Sequence, residues 1–77
     1  MVNNKLNNLL VEVNKTFLNK SEFVLESAGG TEFLFRKSLN VKVDLDEEDW
    51  FRIYENGEEI VSFYDIDDTS LHLMLMS

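Results

Sequence analysis

Asp65, Asp67 and Thr69 close the stretch Ile60-Val61-Ser62-Phe63-Tyr64-Asp65-Ile66-Asp67-Asp68-Thr69, an apolar run that ends in carboxylates at alternate positions. Two carboxylates and a hydroxyl so spaced can attack a phosphoryl group, relay a proton or hold a divalent cation. Whether they do so depends on what the rest of the chain can bring beside them. Asp65-x-Asp67 lacks the central glycine of an EF-hand loop and the bidentate glutamate that closes it twelve positions on. His72 is the sole histidine and the chain has no cysteine, so His72 reads as a strand residue rather than a base. Gly29-Gly30 lacks the third glycine and the following helix of a phosphate loop, and reads as a turn. No metal and no cofactor is expected.

The Asp-x-Asp-x-Thr sequence resembles the nucleophile strand of haloacid dehalogenase-type phosphatases. That resemblance implies a first Asp as nucleophile, a second as acid and base, and Mg²⁺ neutralising the phosphate at the end of a parallel central strand. It also requires a Lys and an acidic pair from later strands. Only eight residues follow Thr69, and the strand before Asp65 pairs through Asn56-Gly57 with an antiparallel neighbour. The resemblance therefore covers ten residues and departs elsewhere. Asp65, Asp67, Asp68 and Thr69 are read instead as a polar turn in which Asp side chains bond nearby backbone N–H groups, and the chain as no enzyme.

The elements that position these residues follow from periodicity. Leu6, Leu9, Leu10, Val13 and Phe17 form one helical stripe, which predicts a helix over Asn3 to Asn19 with Asn3 or Asn4 as cap and Lys15 and Lys20 suiting its negative pole. The period then changes to two. Phe23 and Leu25 before Gly29-Gly30, and Phe33 and Phe35 after it, predict a hairpin. A two-residue loop pairs Glu26 with Phe33, whereas a three-residue loop pairs Leu25 with Phe33 and Phe23 with Phe35; the hydrophobic pattern favours the second. Leu39 to Leu45 alternate as a third strand. Trp50 to Glu55 and Glu58 to Tyr64 form a hairpin about Asn56-Gly57, where a three-residue loop puts Phe51, Ile53 and Val61 inward and Trp50, Arg52, Tyr54, Ile60 and Ser62 outward. Leu71, Leu73 and Leu75 read as a last strand, or as a short helix capped by Thr69 or Ser70. The expected fold is α+β, a single domain over residues 1–77 in which one N-terminal helix packs on an antiparallel meander of about five to six strands.

With 77 residues and no cysteine, such a domain must be held by hydrophobic packing alone, and buries only about 60% of its unfolded surface. No apolar run reaches the ~18 residues of a membrane-spanning helix, which leads to the expectation of a soluble, cytoplasmic protein. The net charge of -8 is unevenly divided: residues 1–42 hold six Lys/Arg against four Asp/Glu (+2), and residues 43–77 one Arg against eleven Asp/Glu (-10). The acids gather at expected turns: Asp44, Asp46, Glu47, Glu48 and Asp49; then Glu55, Glu58 and Glu59; then Asp65, Asp67 and Asp68.

What remains is surface. Trp50, Arg52 and Tyr54 on the sheet face away from the helix, with Tyr64 as a further candidate there, are residue types enriched at binding hot spots, and the carboxylates flank them at both strand ends. Such a surface repels nucleic acid and attracts a basic protein, as a monomer or homodimer. In size, acidity, Asn/Lys/Asp/Glu-rich composition and absence of Cys, the chain resembles small phage-encoded inhibitors that block host nucleases, including anti-CRISPR proteins and other nucleic-acid mimics. The resemblance is one of composition; no motif carries it and it transfers no residue. It implies a partner-binding inhibitor of a basic nucleic-acid-binding enzyme, the alternative being a small adaptor, immunity or chaperone-like module that uses the aromatic face.

Overall fold

The apolar stripe of the N-terminal segment becomes the inner side of helix α1 (Asn4–Thr16) in the computed structural model, which describes residues 4–17 and 21–76. Leu6, Leu9 and Val13 are fully buried, while Leu10 and Phe17 sit half-buried at the margins. Lys15 lies in the last turn, where its charge suits the helix dipole. Of the two candidate caps Asn4 is the first residue of the helix, while Asn3, like Asn19 and Lys20, falls outside the described residues.

Five strands follow, β1 (Val24–Ala28), β2 (Thr31–Arg36), β3 (Val41–Leu45), β4 (Phe51–Glu55) and β5 (Glu58–Phe63), all antiparallel and in chain order across the sheet. A 3-10 turn over Lys37–Leu39 ends at Asn40 in the left-handed region (φ 52°), so β3 starts at Val41 rather than Leu39. Leu34, Val43, Ile53 and Val61 stand opposite one another across β2 to β5, and this row carries the inner face. Together with Val41 and Phe51 it meets α1 in one continuous core.

Three expectations need correction. The first hairpin turns on two residues: Gly29 (φ 61°) and Gly30 (φ 82°) form a left-handed pair whose twist matches that of the flanking strands, and Ala28 faces Thr31 directly. Glu26 consequently pairs with Phe33 and Leu25 with Leu34. Since side chains alternate, Leu34 is the core residue of β2 and Phe33 and Phe35 turn to the outer face. The second hairpin also has a two-residue loop, at Asn56 (φ 54°) and Gly57 (φ 84°), with Glu55 opposite Glu58. A bulge leaves Ile60 unpaired between Tyr54–Glu59 and Ile53–Val61, so Phe51, Ile53 and Val61 still face inward.

The third correction is the C-terminal segment, a helix α2 (Ile66–Leu75) and not a strand. It begins at Asp65 and runs through Thr69 and Ser70 instead of being capped by them. The inward positions are Ile66, Thr69, Ser70, Leu73 and Met76, a helical spacing disguised by two hydroxyl residues at its centre. Thr69 is fully buried because its hydroxyl donates to the Asp65 carbonyl at 2.7 Å, and Ser70 comes within 3.5 Å of Thr16 on α1. The fold is therefore α+β with two helices covering one face of a five-stranded sheet.

Candidate functional site

The β3–β4 connection is built around Asp46. Its Oδ1 accepts the backbone N–H groups of Glu48 (2.8 Å) and Trp50 (3.0 Å), and its own N–H donates to the Trp50 carbonyl. The bond from Trp50, followed by that from Glu48, holds the Asp46 carboxyl below the usual aspartate range against the opposing effect of partial burial. Asp46 is thus spent on the turn, while Glu47, Glu48 and Asp49 project into solvent.

Lys5 on α1 reaches this turn. Its ammonium donates to the Asp49 carbonyl and lies 3.7 Å from the Tyr64 ring centroid and 4.9 Å from that of Phe51. Asp65 and Asp67, at the start of α2, line the same shallow pocket as Lys5, Asp49 and Tyr64. Two acidic segments that lie far apart in the chain therefore meet around one lysine, through Asp49 on one side and Asp65 and Asp67 on the other, while Asp46, Glu47 and Glu48 line a separate pocket with Arg52. Trp50, 42% exposed, stands edge-on to Tyr64, 54% exposed, at 5.8 Å between centroids. Both aromatic rings belong to this acidic end.

The other expected site residues lie elsewhere. Glu55, Glu58 and Glu59 surround the Asn56-Gly57 turn at the opposite end of β4, about 17 Å away by strand rise. Asp44 is buried and accepts both Nε (2.8 Å) and Nη2 (3.1 Å) of Arg52, its neighbour across β3–β4, so this pair is internal to the sheet. The Asp44 bonds raise the Arg52 pKa further, and burial raises that of Tyr54. Tyr54 sits half-buried on the outer face, separate from Trp50.

Phe33, Phe35 and Lys42 join Tyr54 there, a group absent from the sequence-based site. Lys42 lies between the rings of Tyr54 (4.6 Å) and Phe33 (5.5 Å). The available signal was the glycine pair, whose two-residue turn dictates that Phe33 and Phe35 face outward. Lys5 carried no local signal, because its contact to Asp49 spans 44 residues.

The Asp-x-Asp-x-Thr segment is the first turn of α2 rather than a turn held by Asp side chains. Asp65 makes no side-chain cap bond, Asp67 and Asp68 lie in the first turn where the helix dipole favours carboxylates, and the Thr69 hydroxyl is turned inward. The strand that leads into it, β5, is a sheet edge paired antiparallel with β4. Among the described residues no group of three or more His, Asp or Glu is arranged to hold a metal ion, and no helix is long and apolar enough to cross a membrane. No protein family, no curated protein and no solved structure matches the chain.

Proposed function

We propose that the protein is a non-enzymatic inhibitor that presents its acidic end to a basic, nucleic-acid-binding partner, such as a CRISPR effector or another host nuclease, in the cytoplasm of the cell it acts in. The observation that carries this reading is the meeting of Asp49 with Asp65 and Asp67 around Lys5, with Glu47 and Glu48 next to Asp49 in the same exposed connection. Carboxylates grouped within about one Debye length, ~8 Å at physiological salt, act as a common field that steers and orients a cationic groove. Trp50 and Tyr64 supply apolar area in the middle of that field, where such rings serve as anchors. The same charge repels nucleic acid, so the partner is a protein.

Glu47→Lys combined with Glu48→Lys tests the proposal without disturbing Asp46. Against a panel of basic nucleases, association should slow by about tenfold at low salt and lose much of its salt dependence, whereas Trp50→Ala should mainly speed dissociation. Unchanged association rates at low salt would reduce the acidity to a solubility device.

A second reading, an adaptor using the sheet, is favoured by Phe33, Phe35 and Tyr54 on the outer face with Lys42 between two of the rings. Under it, Phe35→Ala abolishes partner binding and the charge reversals leave it intact.

A further inference from the structure

The sheet has two edges, and only one is defended. On β5 the exposed edge carries Glu58 and Glu59, is bent by the bulge at Ile60 and is followed directly by α2. Charges and bulges of this kind prevent another strand from adding to an edge. Strand β1 has no bulge and a single charge, Glu26. It pairs with β2 through five uninterrupted residues, contains no proline or lysine, and all five of its residues are exposed, Val24 at 53% and Leu25 at 38%. Its outward-pointing N–H and C=O groups form a template for a further strand.

We infer that the β1 edge captures an extended, basic segment of the partner by strand addition; this rests on the proposed binding of a basic protein and says how that protein is held. Glu26 selects the occupant. It is the middle residue of β1, and among the described residues its carboxylate has no ion-pair or hydrogen-bond partner, whereas that of Glu22 is tied to Arg36 (3.3 Å) and Ser38 (2.8 Å). A Lys or Arg on the added strand, opposite Glu26, completes a cross-strand charge pair, and an apolar residue next to it meets Leu25.

A second copy of the chain fits less well. The antiparallel arrangement that pairs all five residues puts the two-fold axis through Glu26 and sets Glu26 against Glu26, with like charges directly opposed. Moving the axis to Leu25 removes that clash but leaves only Val24, Leu25 and Glu26 of the strand paired. In addition, each copy carries a net charge of -8.

The full chain, isotopically labelled, is titrated with a blocked octapeptide of alternating valine and lysine and with the same peptide N-methylated at alternate nitrogens. The unmodified peptide should slow amide exchange at alternate positions of Val24–Ala28 by about tenfold, while the methylated one, lacking ladder donors, should not. Glu26→Lys, an exposed and conservative change for folding, should weaken peptide binding by about fivefold, the size of a cross-strand charge pair turned into repulsion. If the peptide leaves the β1 amides unprotected while nucleases still bind and respond to Glu47→Lys with Glu48→Lys, the edge inference fails and the acidic-end proposal stands. If neither the peptide nor any nuclease binds, both fail. Protection of β1 without peptide, accompanied by a dimer in sedimentation, would overturn the choice of occupant in favour of a second copy.

Discussion

Hairpin β1–β2 and hairpin β4–β5 each turn on two residues of positive φ, Gly29-Gly30 at 61° and 82° and Asn56-Gly57 at 54° and 84°, and leave those turns differently. The first runs five pairs without interruption, which delivers Leu34 to the core and two phenylalanines to the outer face. The second inserts Ile60 as a bulge, and the extra residue returns Val61 to the inner face. A turn type sets where a strand begins to pair, and a bulge is the means by which a chain with the same turn can still choose its buried face. The bulged hairpin gains a defended edge as well, while the regular one leaves β1 open.

The largest expected effect that bears on this contrast is at β2. Leu34→Ala should lower stability by about 2–5 kcal/mol, since a fully buried leucine is removed from the row shared with Val43, whereas Phe35→Ala, half-buried, should lower it by about 1 kcal/mol. Urea midpoints of the two variants rank them. The opposite order would restore the register in which Phe33 and Phe35 face the helices.

Smaller effects are expected at the turns. An added Cβ meets no heavy atom within 4 Å at Gly30 (φ 82°) or at Gly57 (φ 84°), so Gly30→Ala and Gly57→Ala should each lose only the backbone preference, about 1–2 kcal/mol. Equal losses in thermal unfolding would confirm that the hairpins share one turn type and differ only beyond it. A neutral Gly30→Ala would remove that equivalence.

The smallest effect belongs to the connection between the halves of the sheet. Asp46 has a lowered pKa in the folded chain, so its contribution is present above the ordinary aspartate range and is lost as pH falls below that range and through the lowered folded value. Asp46→Asn should be slightly less stable than the parent at pH 7, with the gap closing in acid as the parent's carboxylate is protonated. Denaturant midpoints at pH 7 and pH 3 measure this; a gap that stays constant would mean that the carboxylate charge adds nothing to the bonds from Glu48 and Trp50.

Much of this architecture was legible from residue order, and the misreadings have identifiable causes. The stripe Leu6, Leu9, Val13 specified α1 because a 3.6-residue period buries one side of a helix whatever it packs on. Val41 and Val43 specified β3 by alternation, and Asn56-Gly57 marked the second turn. Phe33 and Phe35 were misassigned because bulk and apolarity made them better core candidates than Leu34, although two glycines left no room for the extra loop residue that arrangement needs. Helix α2 was obscured by Thr69 and Ser70, whose hydroxyls look solvent-seeking until the Asp65 carbonyl and Thr16 are seen beside them. Trp50 was grouped with Tyr54 by alternation, but it precedes β4 and packs on Tyr64.

Composition and spacing alone determined that this chain carries -10 in residues 43–77, that its carboxylates fall at element ends, and that a helix and a run of antiparallel strands form. These are local properties, written in the period of each segment and in the residues that interrupt it. Tertiary structure alone decided which face of β2 is buried, that the last segment coils, that Asp44 is consumed by Arg52, and that Asp49, Asp65 and Asp67 share one pocket with Lys5. Each of those outcomes depends on a neighbour distant in the chain, and a pattern of apolar and polar residues states that a face must be covered without stating what will cover it.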